Sequence, residues 1–267
     1  MIKHTLFRQS KIRYSDTGKG RVVVLLHGFM ESLEIWEDFV ESVSKTNRVI
    51  CIDFPGFGGS ETIGYVHSME LLAQCVKVVL DQEGLRRCVI IGHSMGGYAA
   101  LAFADLFPDC VKGLSLFHSS ALADSDEKKA ARDQAIRVVK KDTGRYVQLF
   151  FAPLFAPQNV GELRAPIRAL EKRAASFPKK AIVNALEGMK DRKRRDWMLS
   201  MVPFPIQFII GKYDPTFTTA SIFKQAELVK NADVLLLENS GHMGFVEERD
   251  VTLKAVKKFV RKCFFSN

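Results

Sequence analysis

The sequence predicts an α/β fold, in which helices flank a mainly parallel β-sheet and a helical segment is inserted into the chain. Short apolar runs alternate with helix-like stretches over residues 20–120, and the same rhythm returns after residue 202. Strands that alternate with helices favour right-handed crossovers and parallel pairing. Residues 121–202 break this rhythm, since they are rich in Ala, Lys, Arg, Glu and Leu. We therefore predict a core of residues 1–120 and 203–267 and an inserted helical cap of residues 121–202.

The predicted strands are continuous aliphatic and β-branched runs, as expected for a sheet that is covered on both faces. They span 22–26, 49–52, 88–91, 113–117, 206–210 and 233–237. Helices are predicted between them over 33–44, 68–83 and 95–107, and a last helix over 251–263. The inserted segment is expected to form several helices that break near Gly144, Pro153, Pro157 and Pro178.

Composition excludes several other classes of protein. With 47% hydrophobic and 26% charged residues, the chain has no apolar run of about 18 residues, so we expect no integral membrane association. The first residues show no apolar stretch followed by a cleavage site, and the expected compartment is the cytoplasm. The five cysteines are scattered without a C-x-x-C pair, so neither a disulfide framework nor a zinc site is indicated. The oligomeric state stays open.

The net charge of +9 is concentrated in one part of the chain. Residues 121–200 hold 18 Lys and Arg against 10 Asp and Glu, so almost the whole excess lies in the inserted segment. The densest basic run is 190–197, for which a solvated helix face is the usual explanation. A positive cap that steers acidic substrates is a second interpretation. Contact with an anionic surface is a weaker third one, and we expect no nucleic-acid partner because aromatic residues hardly interleave with the basic ones.

A candidate nucleophile lies directly after the third predicted strand. Gly92-His93-Ser94-Met95-Gly96 has the pattern G-x-S-x-G and stands between a buried strand and a helix. A serine on so tight a turn needs a strained backbone, and glycines on either side let strand and helix approach closely. The serine hydroxyl is then held clear of the sheet at the positive end of a helix. We identify Ser94 as the nucleophile.

A serine hydroxyl needs a base, and the base needs a group that orients it. In this arrangement the acid and the histidine follow the serine in that order along the chain. Asp214 follows the strand 206–210, and His242 follows the strand 233–237. Asp53 and Glu238 also follow strands, but Asp53 belongs to a Pro-Gly turn and Glu238 comes too early to face the histidine. We therefore predict Asp214 and His242 as the partners of Ser94.

Donors for a developing oxyanion are expected from the backbone. His27-Gly28-Phe29 follows the first predicted strand, and the N–H groups of Phe29 and Met95 are the expected pair. Metal-binding patterns such as H-E-x-x-H and phosphate-binding glycine patterns are absent from the sequence. We therefore expect no metal ion and no cofactor.

Together these motifs resemble the α/β-hydrolase superfamily, and most closely its small capped members. The resemblance rests on the segments 26–29, 53–60, 92–97, 211–214 and 241–242. It implies a serine hydrolase in which Ser94, Asp214 and His242 form a catalytic triad. It also implies that residues 121–202 are the variable lid of the family, above a site for a small-molecule substrate.

The substrate is less well defined by the sequence than the reaction. We expect an ester of a small, partly apolar acyl group, in a pocket lined by His118, Phe151, Phe155 and Met243. Hydrolysis of carbon–carbon bonds in keto-acids uses the same triad, but the relatives that perform it carry Asn and Trp where this chain has His93 and Met243. A perhydrolase side activity is compatible with the triad. Epoxide hydrolases and haloalkane dehalogenases need Asp in place of Ser94. A ligand receptor with little or no turnover is the remaining alternative.

Overall fold

A computed structural model describes residues 1–265 of the protein. Its centre is a sheet of eight strands in the order β1-β2-β4-β3-β5-β6-β7-β8. All strands from β4 to β8 along this order pair in parallel, whereas β1 and β2 pair antiparallel at one edge. The mainly parallel α/β fold is confirmed. The strands are β1 (Ile2–Phe7), β2 (Ser10–Thr17), β3 (Val22–Leu26), β4 (Arg48–Ile52), β5 (Cys88–His93), β6 (Val111–Phe117), β7 (Ile206–Gly211) and β8 (Asp233–Leu237).

The antiparallel hairpin β1–β2 was not predicted from the sequence. Its strands mix polar and apolar residues, and β1 is largely exposed at the edge of the sheet. The two turn residues, Arg8 and Gln9, have φ values of 50° and 66°, a conformation for which hairpins usually employ Gly, Asn or Asp. The sequence therefore lacks both signals, a buried run and a glycine turn, that reveal a hairpin.

Helices cover both faces of the central strands, and this explains why those strands are apolar throughout. Every residue of β3 and β5 is buried. The helices that pack around the sheet are α1 (Glu37–Val43), α2 (Met69–Gln82), α3 (Met95–Leu106), α8 (Thr219–Ala226), the short α9 (Gly244–Glu247) and α10 (Arg249–Phe265). The predicted helix 33–44 starts with a 3₁₀ turn before α1 begins. No helix within residues 1–265 is long and apolar enough to cross a membrane.

The segment between β6 and β7 is helical. It contains α4 (Asp126–Lys141), α5 (Thr143–Phe150), α6 (Arg164–Ala174) and α7 (Lys179–Lys190). Local residues explain these bounds: Asp142 accepts a hydrogen bond from Arg145 N at the start of α5, and Pro178 precedes the first turn of α7. We propose that residues 121–202 form a cap over the sheet, and we use that name below.

The basic run 190–197 differs from the solvated helix face that was its usual interpretation. Arg192 and Arg195 are buried, and residues 192–195 form no helix. Arg195 donates to Glu70 on α2 over 2.7 Å and to Asp105 on α3 over 3.1 Å. Buried guanidinium groups need such partners, since an unpaired charge is costly to desolvate. Arg195 therefore attaches the cap to the core, whereas Lys193 and Arg194 of the same run are exposed.

Candidate active site

The site lies where the carboxyl ends of the parallel strands meet, which is the usual location of sites in open α/β sheets. Ser94 follows β5, Asp214 follows β7 and His242 follows β8. The loop after β3 carries Phe29 to the same edge. Sequence positions that are up to 213 residues apart thus converge because their strands run in the same direction.

Ser94 stands on a strained turn between β5 and α3. Its φ and ψ are 50° and −114°, a combination of backbone angles that residues other than glycine rarely adopt. A Cβ atom on Gly92 would lie 2.4 Å from the Gly96 backbone, and one on Gly96 would lie 2.4 Å from the Leu26 carbonyl oxygen. A Cβ on Gly97 would meet the Ser119 side chain at 2.3 Å. The glycines are therefore required for the close approach that raises Ser94 above the sheet.

Asp214 and His242 form a direct hydrogen bond, with 2.8 Å between Asp214 Oδ2 and His242 Nδ1. The other oxygen, Oδ1, accepts hydrogen bonds from the backbone N–H groups of Thr216 and Phe217. Burial alone would raise the pKa of Asp214, but His242 and His118 outweigh it and hold that pKa well below its usual range. The carboxylate stays ionised and fixes the proton on His242 Nδ1, which leaves Nε2 free to accept another.

Ser94 and His242 are near one another but are not hydrogen-bonded. Both residues line one pocket. Within the described residues the Ser94 hydroxyl donates no hydrogen bond to the imidazole, a contact that often tightens only when substrate binds.

His118 lies elsewhere than predicted, since it is fully buried behind Asp214 and does not line the pocket. Its Nδ1 is 3.0 Å from Asp214 Oδ2, and its Nε2 accepts from Gly244 N over 3.2 Å. Backbone amides approach both ring nitrogens, but only Nδ1 also faces a carboxylate oxygen, so Nδ1 carries the proton and donates to Asp214. Burial lowers the pKa of His118 to about 4, so it acts as a neutral donor. His118 therefore supports the acid, a role for which the sequence holds no local signal.

His118, Asp214 and His242 are also the one group within residues 1–265 whose ligand atoms lie close enough together for a metal ion. The contacts of 2.8 and 3.0 Å between the carboxylate and the two rings are hydrogen bonds. Ligand atoms on a tetrahedral zinc ion, with bonds of about 2.0 Å, would be roughly 3.3 Å apart. The geometry fits a hydrogen-bonded acid between two histidines better than a metal centre.

Asp53 and Glu238, the two acids that the sequence analysis rejected as partners of His242, contact other residues. Asp53 is buried, pairs with Arg13 and accepts from Leu33 N over 2.8 Å. Glu238 is exposed and pairs with Lys212 at 2.8 Å. Neither carboxylate contacts His242.

The backbone amides of Phe29 and Met95 are the two that the sequence predicts as donors to an oxyanion. Neither N–H donates to another backbone group in the part of the chain that the structure describes. Gly28 N donates to Glu31 Oε2 over 2.6 Å, and this contact holds the loop that presents Phe29. His27 braces the same loop, since its ring bonds to the Gly28 carbonyl and accepts from Phe54 N.

A buried pair that the sequence did not reveal lies beside these amides. Glu31 and His93 are 2% and 1% exposed, and Glu31 Oε2 is 3.0 Å from His93 Nδ1. His93 Nε2 is 3.0 Å from the His242 carbonyl oxygen. Both ring nitrogens face acceptors, so both carry protons and the ring is an imidazolium. Burial opposes this charge, but Glu31 outweighs it and raises the pKa of His93.

This pair ties together three loops that must keep a common geometry. Glu31 holds the Phe29 loop, His93 precedes Ser94, and the carbonyl of His242 belongs to the loop of the base. We expect Glu31→Ala to lower the free energy of unfolding by about 3–5 kcal/mol, because it leaves a buried imidazolium unpaired. Glu31→Gln should cost clearly less, since an amide oxygen at the position of Oε2 can still accept from Gly28 N and from a protonated Nδ1 of a neutral His93.

Urea denaturation of both variants would test this expectation. Glu41→Ala, which removes an exposed carboxylate of α1, is the matched control. A loss for Glu31→Ala no larger than that of Glu41→Ala would contradict the interpretation of a buried ion pair.

The pocket over Ser94 has a volume of about 140 Å³. Apolar and aromatic side chains from the cap form most of its roof, namely Tyr146, Phe150, Leu154, Leu186 and Met189. Phe29 and Phe150 meet across it with ring centroids 5.4 Å apart. The cap also holds His242, since the Leu154 carbonyl accepts from His242 N over 2.6 Å.

The other residues predicted to line the pocket do not reach it. Phe151, Phe155 and Met243 are at most 2% exposed and pack into the core instead. Phe151 backs Phe150, with the ring centroids 5.1 Å apart. The sequence showed a dense apolar segment in the cap, but the direction of each side chain follows from a short 3₁₀ turn over residues 152–154.

Comparison with known proteins agrees with the fold. A family model described as the alpha/beta hydrolase fold matches residues 21–249. The chain belongs to the α/β-hydrolase family, as its motifs indicated. Hydrolases are among the similar members of this family.

Three similar proteins illustrate the range of that family. An esterase from Thermogutta terrifontis, solved with malate bound, superposes with a TM-score of 0.91 at 27% identity, covering 98% of this chain and 97% of the other. The dihydrolipoyllysine-residue acetyltransferase component of the acetoin cleaving system of Pseudomonas putida is 28% identical over 250 residues. A 2-hydroxy-6-oxononadienedioate/2-hydroxy-6-oxononatrienedioate hydrolase of Paraburkholderia phymatum is 39% identical over 112 residues. The match to the acetyltransferase component covers 91% of this chain and 64% of that relative. The match to the Paraburkholderia hydrolase covers 40% of this chain and 39% of that relative.

Proposed function

We propose that the protein is a serine hydrolase that cleaves an ester of a small, partly apolar acyl group through an acyl-enzyme. The observation that carries the proposal is the buried Asp214–His242 hydrogen bond, in one pocket with a serine on a strained turn. A hydrogen-bonded acid and base beside a serine are the arrangement that activates a hydroxyl nucleophile. The similar esterase supports the same class of reaction.

The geometry suggests how each group would act. Ser94 Oγ attacks the ester carbonyl while His242 Nε2 takes its proton, and Asp214 stabilises the imidazolium that forms. The amides of Phe29 and Met95 hold the oxyanion. The tetrahedral intermediate then expels the alcohol, which receives the proton from His242. Water attacks the acyl-enzyme in the same way, so that the acid is released and Ser94 regains its proton.

The pocket volume limits the acyl group. A cavity of about 150 Å³ is known to hold a molecule of the size of benzene, and the volume here is about 140 Å³. We therefore expect short acyl chains to be accepted and long ones to require movement of the cap. No cofactor is needed for this reaction.

A panel of p-nitrophenyl esters from acetate to dodecanoate, together with a fluorophosphonate probe, would test the proposal. We expect turnover of the acetate, butanoate and hexanoate esters, a sharp decrease for dodecanoate, and labelling of Ser94 alone, located by peptide mass spectrometry. A chain that is inert to the probe and to every ester would instead favour a ligand receptor on the same fold.

Hydrolysis of a carbon–carbon bond is the second candidate. The relative from Paraburkholderia phymatum favours it, since its name denotes such a substrate class. Loss of the visible absorbance of a 2-hydroxy-6-oxo-dienoate would detect this activity directly. Turnover of such a compound faster than every ester would replace ester hydrolysis as the main activity.

A further inference from the structure

Three polar groups in the roof and wall of the pocket lack a role in the reaction proposed above. Arg132 of α4, Tyr98 of α3 and Tyr146 of α5 all line the cavity that contains Ser94. Arg132 Nε pairs with Asp124, and Nη1 lies 3.5 Å from Met189 Sδ, a weak acceptor. Within the described residues, Arg132 Nη2 and the two tyrosine hydroxyls have no hydrogen-bond partner.

The charged side chains of the cap that surround Arg132 carry a net positive charge. Asp124 is fully buried and shared by two guanidinium groups, since Arg192 Nη1 lies 2.5 Å from its Oδ1. Arg192 is itself buried over the Tyr98 ring, 4.0 Å from its centroid. One carboxylate between two arginines leaves an excess of one positive charge. Arg132, whose side chain is 18% exposed, is the member of this group that lines the pocket.

The acidic groups near the pocket do not cancel this charge. Glu31 is neutralised by His93 at 3.0 Å. Asp214 lies behind His242, and its two oxygens already accept from two histidines and two backbone amides. The pocket therefore offers Nη2 of Arg132 and two tyrosine hydroxyls as donors that have no anionic partner of their own, since Asp124 contacts the guanidinium through Nε. An anion in so enclosed a site would form hydrogen bonds that are stronger than neutral ones.

We propose that the substrate is a small ester whose acyl part carries a carboxylate, and that Arg132 binds this carboxylate with help from Tyr98 and Tyr146. This inference rests on the proposed function, because it concerns the substrate of the same serine. The cavity of about 140 Å³ limits the spacer between carboxylate and ester to a few carbons, as in a hemiester of a short dicarboxylic acid. Arg132 is thus a specificity-determining residue that takes no part in the chemical step.

Two methyl esters of nearly equal shape test the inference. Monomethyl succinate carries the carboxylate, and methyl 4-oxopentanoate has a neutral methyl ketone in its place. With methanol release as the assay, we expect kcat/KM of the protein to favour monomethyl succinate by about 10- to 100-fold, the range of one charge-assisted hydrogen-bonded contact. Arg132→Gln should remove this preference by lowering kcat/KM for monomethyl succinate alone, and Arg132→Lys should restore part of it.

Arg137→Gln is the matched control, since Arg137 is an exposed residue of the same helix and its loss changes the net charge equally. If Arg137→Gln lowered the preference as much as Arg132→Gln, long-range attraction would explain it and direct binding would be wrong. Equal kcat/KM values for both esters in the unmodified protein would also overturn the inference, and the proposed ester hydrolysis would stand.

The same two acyl groups can be compared without turnover, by measuring how far each compound slows the labelling of Ser94 by the fluorophosphonate probe. Succinate should slow the labelling of Ser94 in the unmodified protein far more than methyl 4-oxopentanoate does, and this difference should disappear in Arg132→Gln. Labelling that succinate leaves unchanged would overturn the carboxylate site. A failure of labelling itself would instead reject the proposed function.

Discussion

Replacement of Ser94 by Ala is expected to lower kcat for the best p-nitrophenyl ester by at least about 10⁴-fold, because no other group in the pocket can form the acyl-enzyme. The stability of the fold should not decrease. The Ser94 hydroxyl donates no hydrogen bond to another residue within the described chain, and alanine can adopt the same φ of 50° at a similar cost. The melting temperature should therefore stay unchanged or rise slightly.

Activity and thermal unfolding would be measured on the same preparation. Ser176→Ala, which removes an exposed hydroxyl of the cap, is the control and should change neither quantity. Ester hydrolysis that survives in Ser94→Ala, together with fluorophosphonate labelling at another residue, would refute the assignment of the nucleophile.

Asp214→Asn is expected to lower kcat by about 10⁴-fold, as the loss of a triad acid does in serine proteases. The structure adds a reason that is specific to this chain. Oδ2 accepts from two histidines, and Oδ1 accepts from the amides of Thr216 and Phe217. Whichever way the new amide turns, its NH₂ group faces two donors. When the NH₂ group faces the histidines, His242 is no longer held with its proton on Nδ1, and Nε2 can no longer act as the base.

The same variant should also be less stable than the parent, since one buried donor pair is left unsatisfied. Glu238→Gln is the matched control, because this carboxylate follows β8 but is exposed and contacts only Lys212. A kcat for Asp214→Asn within about tenfold of the parent would remove Asp214 from the reaction. A large loss in Glu238→Gln would point to the alternative acid.

The sequence predicted the strands and turns that position the site, because these elements depend on short-range patterns of residues. Continuous apolar runs mark β3, β5, β6, β7 and β8, and the predicted ends of these strands differ from the observed ones by at most two residues. Ser94, Asp214 and His242 each stand just after such a run, so parallel pairing alone brings them to one edge. The hairpin β1–β2 was missed because it has neither buried runs nor a glycine turn.

The side chains that line the pocket could not be predicted from the sequence in the same way. Phe150 lines it whereas Phe151 and Phe155 do not, and one turn of backbone decides between them. His118 was placed in the pocket, but the positive φ of 47° at this residue and the position of Gly244 direct its ring to the back of Asp214. No local pattern distinguishes these orientations.

By itself, the sequence determined the mainly parallel α/β fold, membership of the α/β-hydrolase family and the chain order of the proposed nucleophile, acid and base. Hydrophobic runs and glycine turns encode these features locally. Only the tertiary structure decided that Glu31 pairs with His93, that Arg192 and Arg195 are buried, and that Arg132 reaches the pocket. The hydrogen bonds of Glu31 to His93, of Arg192 to Leu122, and of Arg195 to Asp105 and Glu70 join residues 62 to 125 positions apart. They depend on how the cap packs on the sheet, since buried charges take whichever partners that packing provides.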